Sequence, residues 1–132
     1  MTTNTTPLED AEQTDFVKWL EINDLKFTAI PNNTYTKYMS QKVKNHRVGL
    51  RPGFPDMVVL VPPDRSLDGE GYFLVPEMKR IKGSTTSEEQ KAWIEAINNL
   101  GVLNITAMVC KGSEAAKSFV KHYLKEPIDD IF

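Results

Sequence analysis

The sequence predicts an α/β protein, in which short apolar strands form a sheet and helices pack beside it. The runs at residues 57–61 and 72–78 are rich in Val, Leu and aromatic side chains and are too short for helices. The segment between them is rich in Pro, Asp and Gly, as is typical of a turn that joins two strands. Apolar residues recur at helical spacing in residues 93–100, so a helix follows the second strand.

The first elements are a helix and a strand. Residues 1–6 are polar, and we expect a disordered N-terminus there, followed by a single domain over residues 7–132. A helix is predicted from Leu8 to about Asn23, with Phe16 and Leu20 toward the core. Lys26 to Ile30 alternates as a strand does, and a short helix is predicted within residues 36–47.

The last elements are a helix, a strand and a closing helix. A capping box at Thr86–Glu89 or at Ser87–Gln90 opens the first of these helices. A strand is predicted from Leu103 to Cys110, and a helix capped by Ser113 runs to Leu124. The predicted order is therefore α-β-β-β-α-β-α, with the first three strands as a meander. A core stripe is expected on the middle helix at these positions: Trp93, Ala96, Ile97 and Leu100.

Two carboxylates and an ammonium group come together if the two apolar strands pair. Asp56 begins the first strand, and Glu77 and Lys79 share one face of the second because side chains alternate along a strand. Carboxylates are the usual protein ligands of Mg²⁺, and a cation held there can activate water against a phosphodiester. Lys79 can orient the water or stabilise the charge that develops on the phosphate. An ordinary salt bridge is the alternative interpretation.

Four sequence motifs resemble one nuclease family. They are P-N-N at residues 31–33, V-G-L-R-P-G-F-P-D at 48–56, L-V-P-E-M-K-R at 74–80 and S-E-E-Q at 87–90. Their order and spacing are similar to P-N-G-G, G-x-x-x-G-x-P-D, E-M-K-R and S-x-x-Q of the VRR-NUC domain. This is the virus-type replication-repair nuclease domain of the PD-(D/E)XK superfamily, in the small stand-alone form common in phages. The resemblance covers roughly residues 8–124.

The resemblance implies a restriction-endonuclease-like PD-(D/E)XK core around a mixed central sheet. It implies a Mg²⁺- or Mn²⁺-dependent DNA endonuclease in which Asp56 and Glu77 bind the metal and Lys79 assists the water. The family places a glutamate on the first helix; Glu12 is the match, with Glu9 one turn earlier as the alternative. Gln90 of the S-x-x-Q motif would position substrate or water, although helix capping alone also explains it.

Basic residues precede Asp56 and follow Lys79, where a DNA backbone would approach. Residues 31–55 contain no acidic side chain, although the net charge of the whole chain is −2. Such a stretch attracts phosphates. The residues predicted to bind DNA are Asn32 and Asn33 of the P-N motif together with Lys42, Lys44, Arg47, Arg51, Arg80 and Lys82.

The resemblance also implies a substrate class and a partner. Similar stand-alone proteins act on branched DNA, including four-way (Holliday) junctions, as homodimers, and a two-fold dimer suits symmetric arms. The alternative is a catalytically inactive DNA-binding or assembly module on the same fold. Two departures from the motifs favour it: Pro76 in the second strand, and Asn33 and Thr34 where the P-N-G-G motif has its two glycines. A third alternative is an interaction protein whose acids form ordinary salt bridges.

Composition also indicates where the protein is located and which kinds of cysteine site it lacks. No apolar run approaches the length of a membrane span, and the N-terminus lacks the features of a signal peptide, so a cytoplasmic location in a bacterial or phage-infected cell is expected. The lone Cys110 excludes an internal disulfide and a cysteine-based zinc site.

Overall fold

The computed structural model describes residues 5–31 and 37–129, with side chains from Glu9 onward in the first helix. These ranges hold four helices, four strands and a short 3₁₀ turn at Pro63–Arg65. In chain order the elements are α1 (Thr5–Ile22), β1 (Lys26–Ala29), α2 (Met39–Arg47), β2 (Met57–Val61), β3 (Tyr72–Lys79), α3 (Glu88–Asn98), β4 (Ile105–Lys111) and α4 (Ser113–Lys121).

The four strands form one mixed sheet in the order β1-β2-β3-β4. The first three strands form an antiparallel meander, and β4 pairs in parallel with β3. The parallel pair follows from the connection, because α3 carries the chain back to the starting end of the sheet before β4 begins. The predicted α/β class, the element order and the mixed central sheet are confirmed, and α2 forms within the range predicted for a short helix.

The main core lies between one face of the sheet and helices α1 and α4. Apolar side chains of β2 and β3 point to this face at every second position, as the strand period requires. The predicted core residues of α1, Phe16 and Leu20, are both fully buried. The other members of this core include Trp19, Met57, Val59, Leu74, Met78, Phe119, Val120 and Leu124. The alternate positions of β3, which include Glu77 and Lys79, therefore face α3.

Helix α3 covers the second face, but it is not buried as predicted. None of its residues is buried; Ala96 is exposed and Leu100, just beyond the helix, is 65% exposed. Polar contacts, rather than the expected apolar stripe, hold α3 on the sheet. The side chain of Asn98 donates to the carbonyl of Ala107 and accepts from the Ala107 N–H, at 2.9 and 2.8 Å. These two bonds fix the end of α3 on β4, because each satisfies a strand group.

Pro76 does not cause a bulge in β3. The β3–β4 register continues one for one through Pro76↔Met108. Phe73 and Lys79 direct their backbone hydrogen bonds toward β4, so the backbone groups of Pro76, which lies an odd number of residues from each, point to the other side of the strand. Its nitrogen therefore faces β2. The β2–β3 ladder ends at Val59↔Leu74, before Pro76 is reached. A proline is tolerated there because no ladder bond needs its missing N–H.

The first residues of α1 and α4 differ from the predictions. Thr5 and Thr6, which we expected to be disordered, belong to α1, and residues 1–4 lie outside the described ranges. Ser113 does not cap α4; the N-cap residue is Gly112, with φ +95°, and it offers no side chain. In the part of the chain that is described, no helix is long and apolar enough to span a membrane.

Candidate active site

Asp56 lies where strands β2 and β3 separate. Beyond the last ladder pair, the N–H of Met78 still points toward β2 but has no strand partner. The Oδ2 atom of Asp56 accepts this N–H at 2.7 Å. The carboxylate thus replaces a missing ladder bond and is held beside Glu77, the residue that precedes Met78. This contact brings the two carboxylates of the sequence prediction together.

Glu77, Lys79 and Gln90 form a hydrogen-bonded group under the start of α3. The Nε2 atom of Gln90 donates to Glu77 Oε2 at 2.8 Å, and Lys79 Nζ donates to Gln90 Oε1 at 3.0 Å. Lys79 Nζ also lies 3.5 Å from Glu77 Oε2. Glu77 and Lys79 are only 2% and 7% exposed, so these contacts are largely removed from water. A single amide therefore orients both charged groups.

The first turn of α3 fixes that amide. Of the two predicted capping boxes, Ser87–Gln90 forms: Ser87 Oγ accepts the N–H of Gln90, and Gln90 Oε1 accepts the N–H of Ser87. The same Oε1 atom receives Lys79. The two alternatives for Gln90, capping and a role at the site, are therefore not exclusive, because its one side chain makes both sets of contacts.

Burial governs the charges of the two carboxyl groups. Burial raises the pKa of Glu77 to about 8, the nearby charge of Asp56 acts in the same direction, and Lys79 opposes both. Burial also raises the pKa of Asp56, against the lowering effects of the Met78 N–H and Lys79. The proximity of the two carboxyl groups lowers the pKa of Asp56 and raises that of Glu77.

Glu77 Oε1 is buried and has no hydrogen-bond partner among the residues that the structure describes. An unpaired carboxylate oxygen in such a place is costly unless a proton or a cation satisfies it. Asp56 lies next to it, and oxygen atoms of one or two carboxylates are what Mg²⁺ and Mn²⁺ commonly take from a protein. The donor set of Asp56 and Glu77 therefore fits a hard divalent cation.

Glu12 does not join these two carboxylates in one cluster. Its Oε1 atom accepts the N–H of Ser113 at 2.6 Å, at the N-terminus of α4. This is still the same end of the sheet, because the neighbouring Gly112 donates its N–H to the carbonyl of Lys79. Among the described residues, no three His, Cys, Asp or Glu side chains come close enough to hold one metal ion. The alternative residue, Glu9, is half-buried on the preceding turn of α1.

The loop that carries Asp56 is docked on α3. Trp93 Nε1 donates to the carbonyl of Pro52 at 3.0 Å, and its ring meets that of Phe54 edge-on, with centroids 5.1 Å apart. Gly53 has φ +93°, and a Cβ there would lie 2.7 Å from the backbone of Glu89. Glycine is required for this close approach as well as for the backbone conformation.

The residues predicted to bind DNA are mostly exposed. Arg51 donates to the carbonyls of His46 and Leu50, which ties it to the end of α2. Arg80 donates to the carbonyl of Gly83, and its buried Nε has no partner within the described part of the chain. Asn32 and Asn33 lie outside the described residues. The remaining predicted residues, Lys42, Lys44, Arg47 and Lys82, all present exposed side chains.

Three contributions to the site were missed from the sequence. The Met78 N–H has no side-chain signature, because its role depends on where the β2–β3 ladder ends. The Ser113 N–H is distant from Glu12 in sequence, and no periodicity relates the two. Trp93 was predicted to lie in a buried core stripe. Its indole N–H instead bonds to the carbonyl of Pro52. The only signal for this in the sequence is that Pro52 lies in a loop without regular structure, where a backbone carbonyl is free to accept.

This geometry defines a nuclease-type α/β fold with a buried carboxylate–lysine site on its central strand. The sequence pattern of the VRR-NUC domain matches residues 4–114. The solved structure of a VRR_NUC domain protein superimposes with a TM-score of 0.65 at 24% sequence identity, covering 87% of this chain and 86% of that chain. Comparison with curated proteins gives no match. The chain belongs to the VRR-NUC domain family, as the sequence motifs predicted.

Proposed function

We propose that this protein is a metal-dependent endonuclease that hydrolyses phosphodiester bonds of DNA. The observation that carries the proposal is the buried, unpartnered Oε1 atom of Glu77, which lies beside Asp56 and within one hydrogen-bonded group with Lys79 and Gln90. A purely structural salt bridge would not leave a buried carboxylate oxygen without a partner.

Asp56 and Glu77 would hold Mg²⁺ or Mn²⁺. When bound, the cation supplies positive charge that polarises the phosphodiester and favours ionisation of a water molecule. Asp56 is pre-oriented by the Met78 N–H, and Glu77 by the amide of Gln90. Two protein carboxylates suffice for such an ion, since water and substrate phosphate complete its shell. A role for Glu12 toward the cation stays a prediction.

Lys79 would act on the attacking water or on the phosphate. Gln90 Oε1 takes one of its three N–H donors, which leaves others to orient the water or to stabilise negative charge on the phosphate. Because Lys79 is almost completely buried, its charge acts in a medium where electrostatic interactions are strong. Gln90 serves as its positioning residue.

The DNA backbone would be held on both sides of this group. Exposed cations of α2 and of the following loop precede Asp56 in the chain, and Arg80 and Lys82 follow Lys79. Asn32 and Asn33 of the P-N motif would contribute as well. Contacts of this kind bind phosphates without reading sequence, so selection by DNA structure is expected.

The substrate would be branched DNA such as four-way junctions, cut by a homodimer in the cytoplasm. A two-fold dimer presents two equivalent sites, which matches paired arms. Light scattering tests the oligomeric state, and a monomer at the working concentration would remove this part of the proposal.

The function is tested with a labelled panel of four-way junction, flap, single-stranded and linear duplex DNA. Cleavage is measured with Mg²⁺, Mn²⁺ or EDTA, for the wild type, Lys79→Ala and Lys91→Ala; Lys91 is an exposed residue of the same charge on α3. We expect metal-dependent cutting of the junction that Lys79→Ala abolishes and Lys91→Ala retains. Junction binding without cutting would instead support the inactive DNA-binding module.

A further inference from the structure

An apolar groove lies between helix α3 and the loop that leads to Asp56. Its volume is about 340 Å³, and its lining is largely apolar. The exposed face of α3 supplies the small side chains that leave it open, where the sequence had predicted a buried stripe. The lining residues are Pro52, Glu89, Ala92, Trp93 and Ala96.

Trp93 is the large side chain of this groove, and it is immobilised. Its indole N–H donates to Pro52, and Phe54 packs edge-on against the ring at an interplanar angle of 77°. The ring is only partly buried, and part of it lines the groove. An aromatic ring that is fixed before binding loses little conformational freedom when a ligand stacks on it.

The groove adjoins the proposed active site. Trp93 lies one helical turn after Gln90, the residue that orients Lys79, and the loop opposite leads directly to Asp56. Arg51, an exposed cation, precedes Pro52 in the same loop. A DNA strand held at the active site would therefore pass this groove with its backbone near Arg51 and its bases near Trp93.

We propose that this groove binds one unpaired nucleobase of the DNA substrate, stacked on Trp93. The proposal rests on the proposed function, which supplies DNA as the ligand. The volume is ample for a nucleobase, and the apolar lining suits the faces of the base. Base–aromatic stacking contributes about 1–3 kcal/mol per base. A base inside a duplex is already stacked and paired, so the groove selects DNA in which a branch point or a single-stranded end frees a base near the cut.

Glu89 strengthens the assignment to a base. Glu89 is one of the lining residues, and a carboxylate repels phosphate but can accept hydrogen bonds from exocyclic amino groups. The neighbouring Arg51 offers the opposite charge to the backbone. The polarity of the groove thus matches a nucleotide that enters with its base first.

Filling the groove tests the proposal. Ala92→Leu places a larger side chain in it and leaves Trp93 and the active-site residues unchanged in sequence, and leucine is compatible with a helix. The matched control is Ala11→Leu, the same change at an exposed position of α1. Binding in EDTA is compared for a blunt duplex and for the same duplex with a single-stranded tail. We expect Ala92→Leu to reduce the preference for tailed DNA, the ratio of the two Kd values, by about tenfold.

Trp93 fluorescence supplies an independent measurement. The second tryptophan, Trp19, is 1% exposed, so its emission changes little on binding, and Trp19→Phe removes it where the variant folds. Tailed DNA should quench the emission of Trp93, and blunt duplex should not. Ala92→Leu should abolish the quenching, and Ala11→Leu should retain it.

The outcomes separate this proposal from the nuclease proposal. Equal quenching by tailed and blunt DNA, or an unchanged Kd ratio in Ala92→Leu, would overturn the base site even in an active nuclease. Selective quenching by tailed DNA without any metal-dependent cleavage would support the base site and overturn the nuclease. The Kd ratio and the fluorescence quenching are both measured in EDTA, so neither of them depends on cleavage of the DNA.

Discussion

The ammonium nitrogen of Lys79 lies 3.0 Å from Oε1 of Gln90, and the same oxygen accepts the N–H of Ser87 at 2.9 Å. The lysine of the central strand is thereby coupled to the first turn of the helix that covers it. The start of α3 and the orientation of the active-site lysine are fixed by the same side chain.

Gln90→Ala should lower the cleavage rate by about 10- to 100-fold, because both Glu77 and Lys79 lose their orienting partner. It should also cost about 1 kcal/mol of stability through the lost cap. Ser87→Ala is the matched control, since it removes the other half of the capping box and leaves the contacts to Glu77 and Lys79. A similar loss of rate in both variants would reduce Gln90 to a capping residue. Single-turnover cleavage and urea unfolding measure the two effects.

The metal-free protein should lose stability as pH rises. The native pKa of Glu77, about 8, is above its ordinary value of 4.5, so the folded state binds the proton more tightly than the unfolded state does. The resulting stabilisation is present below pH 4.5 and is lost as pH rises toward 8. In EDTA we expect Tm to fall by on the order of 10 °C between pH 5 and 8 from this group.

Glu77→Gln is the control for that titration, because glutamine keeps the shape of the side chain and cannot ionise. Its Tm in EDTA should depend less on pH, and at pH 8 it should exceed that of the wild type. Equal slopes for the two proteins would show that Glu77 is not the group responsible.

Gly53→Ala should lower the cleavage rate by about a hundredfold. A Cβ at this position meets the backbone of Glu89, so the loop that carries Asp56 must move away from α3. Gly49→Ala has the same positive φ but no atom within 4 Å of its Cβ, so it isolates the backbone strain. Both variants should lose roughly 1–2 kcal/mol of stability from that strain. Equal rates in the two alanine variants would contradict the role of the close approach.

Asn98→Ala should destabilise the protein by about 1–3 kcal/mol, because the N–H and carbonyl of Ala107 lose their partners. Asn99→Ala is the control, at the exposed C-cap position beside it. Urea unfolding followed by circular dichroism measures both. An effect no larger than that of the control would show that these bonds do not hold α3 on β4.

Local sequence patterns predicted the charged part of the site and most of the fold. The alternation of Glu77 and Lys79 and the capping box of Gln90 depend on neighbouring residues, so they can be read from the chain. The Asp56–Met78 bond cannot, since it exists only because the β2–β3 ladder stops before Pro76. The apolar spacing of α3 was correct as a helical signal but wrong as a core signal, because among the described residues no helix or strand covers its outer face and only the loop before Asp56 packs against Trp93.

Helix α1 illustrates the same limit. Its acidic positions were visible in the sequence, but the partner of Glu12 was not, since Ser113 belongs to the last helix. The tertiary fold determines whether such a carboxylate meets a metal or a backbone N–H.

Binding of Mn²⁺ to the protein in the absence of DNA tests the central claim most directly. Electron paramagnetic resonance follows the loss of free Mn²⁺ for the wild type, Asp56→Asn, and Asp64→Asn as an exposed control. We predict a bound ion in the wild type and in the control, and weakening by tenfold or more in Asp56→Asn. Equal binding by all three proteins, or none by the wild type, would contradict a cation site between Asp56 and Glu77.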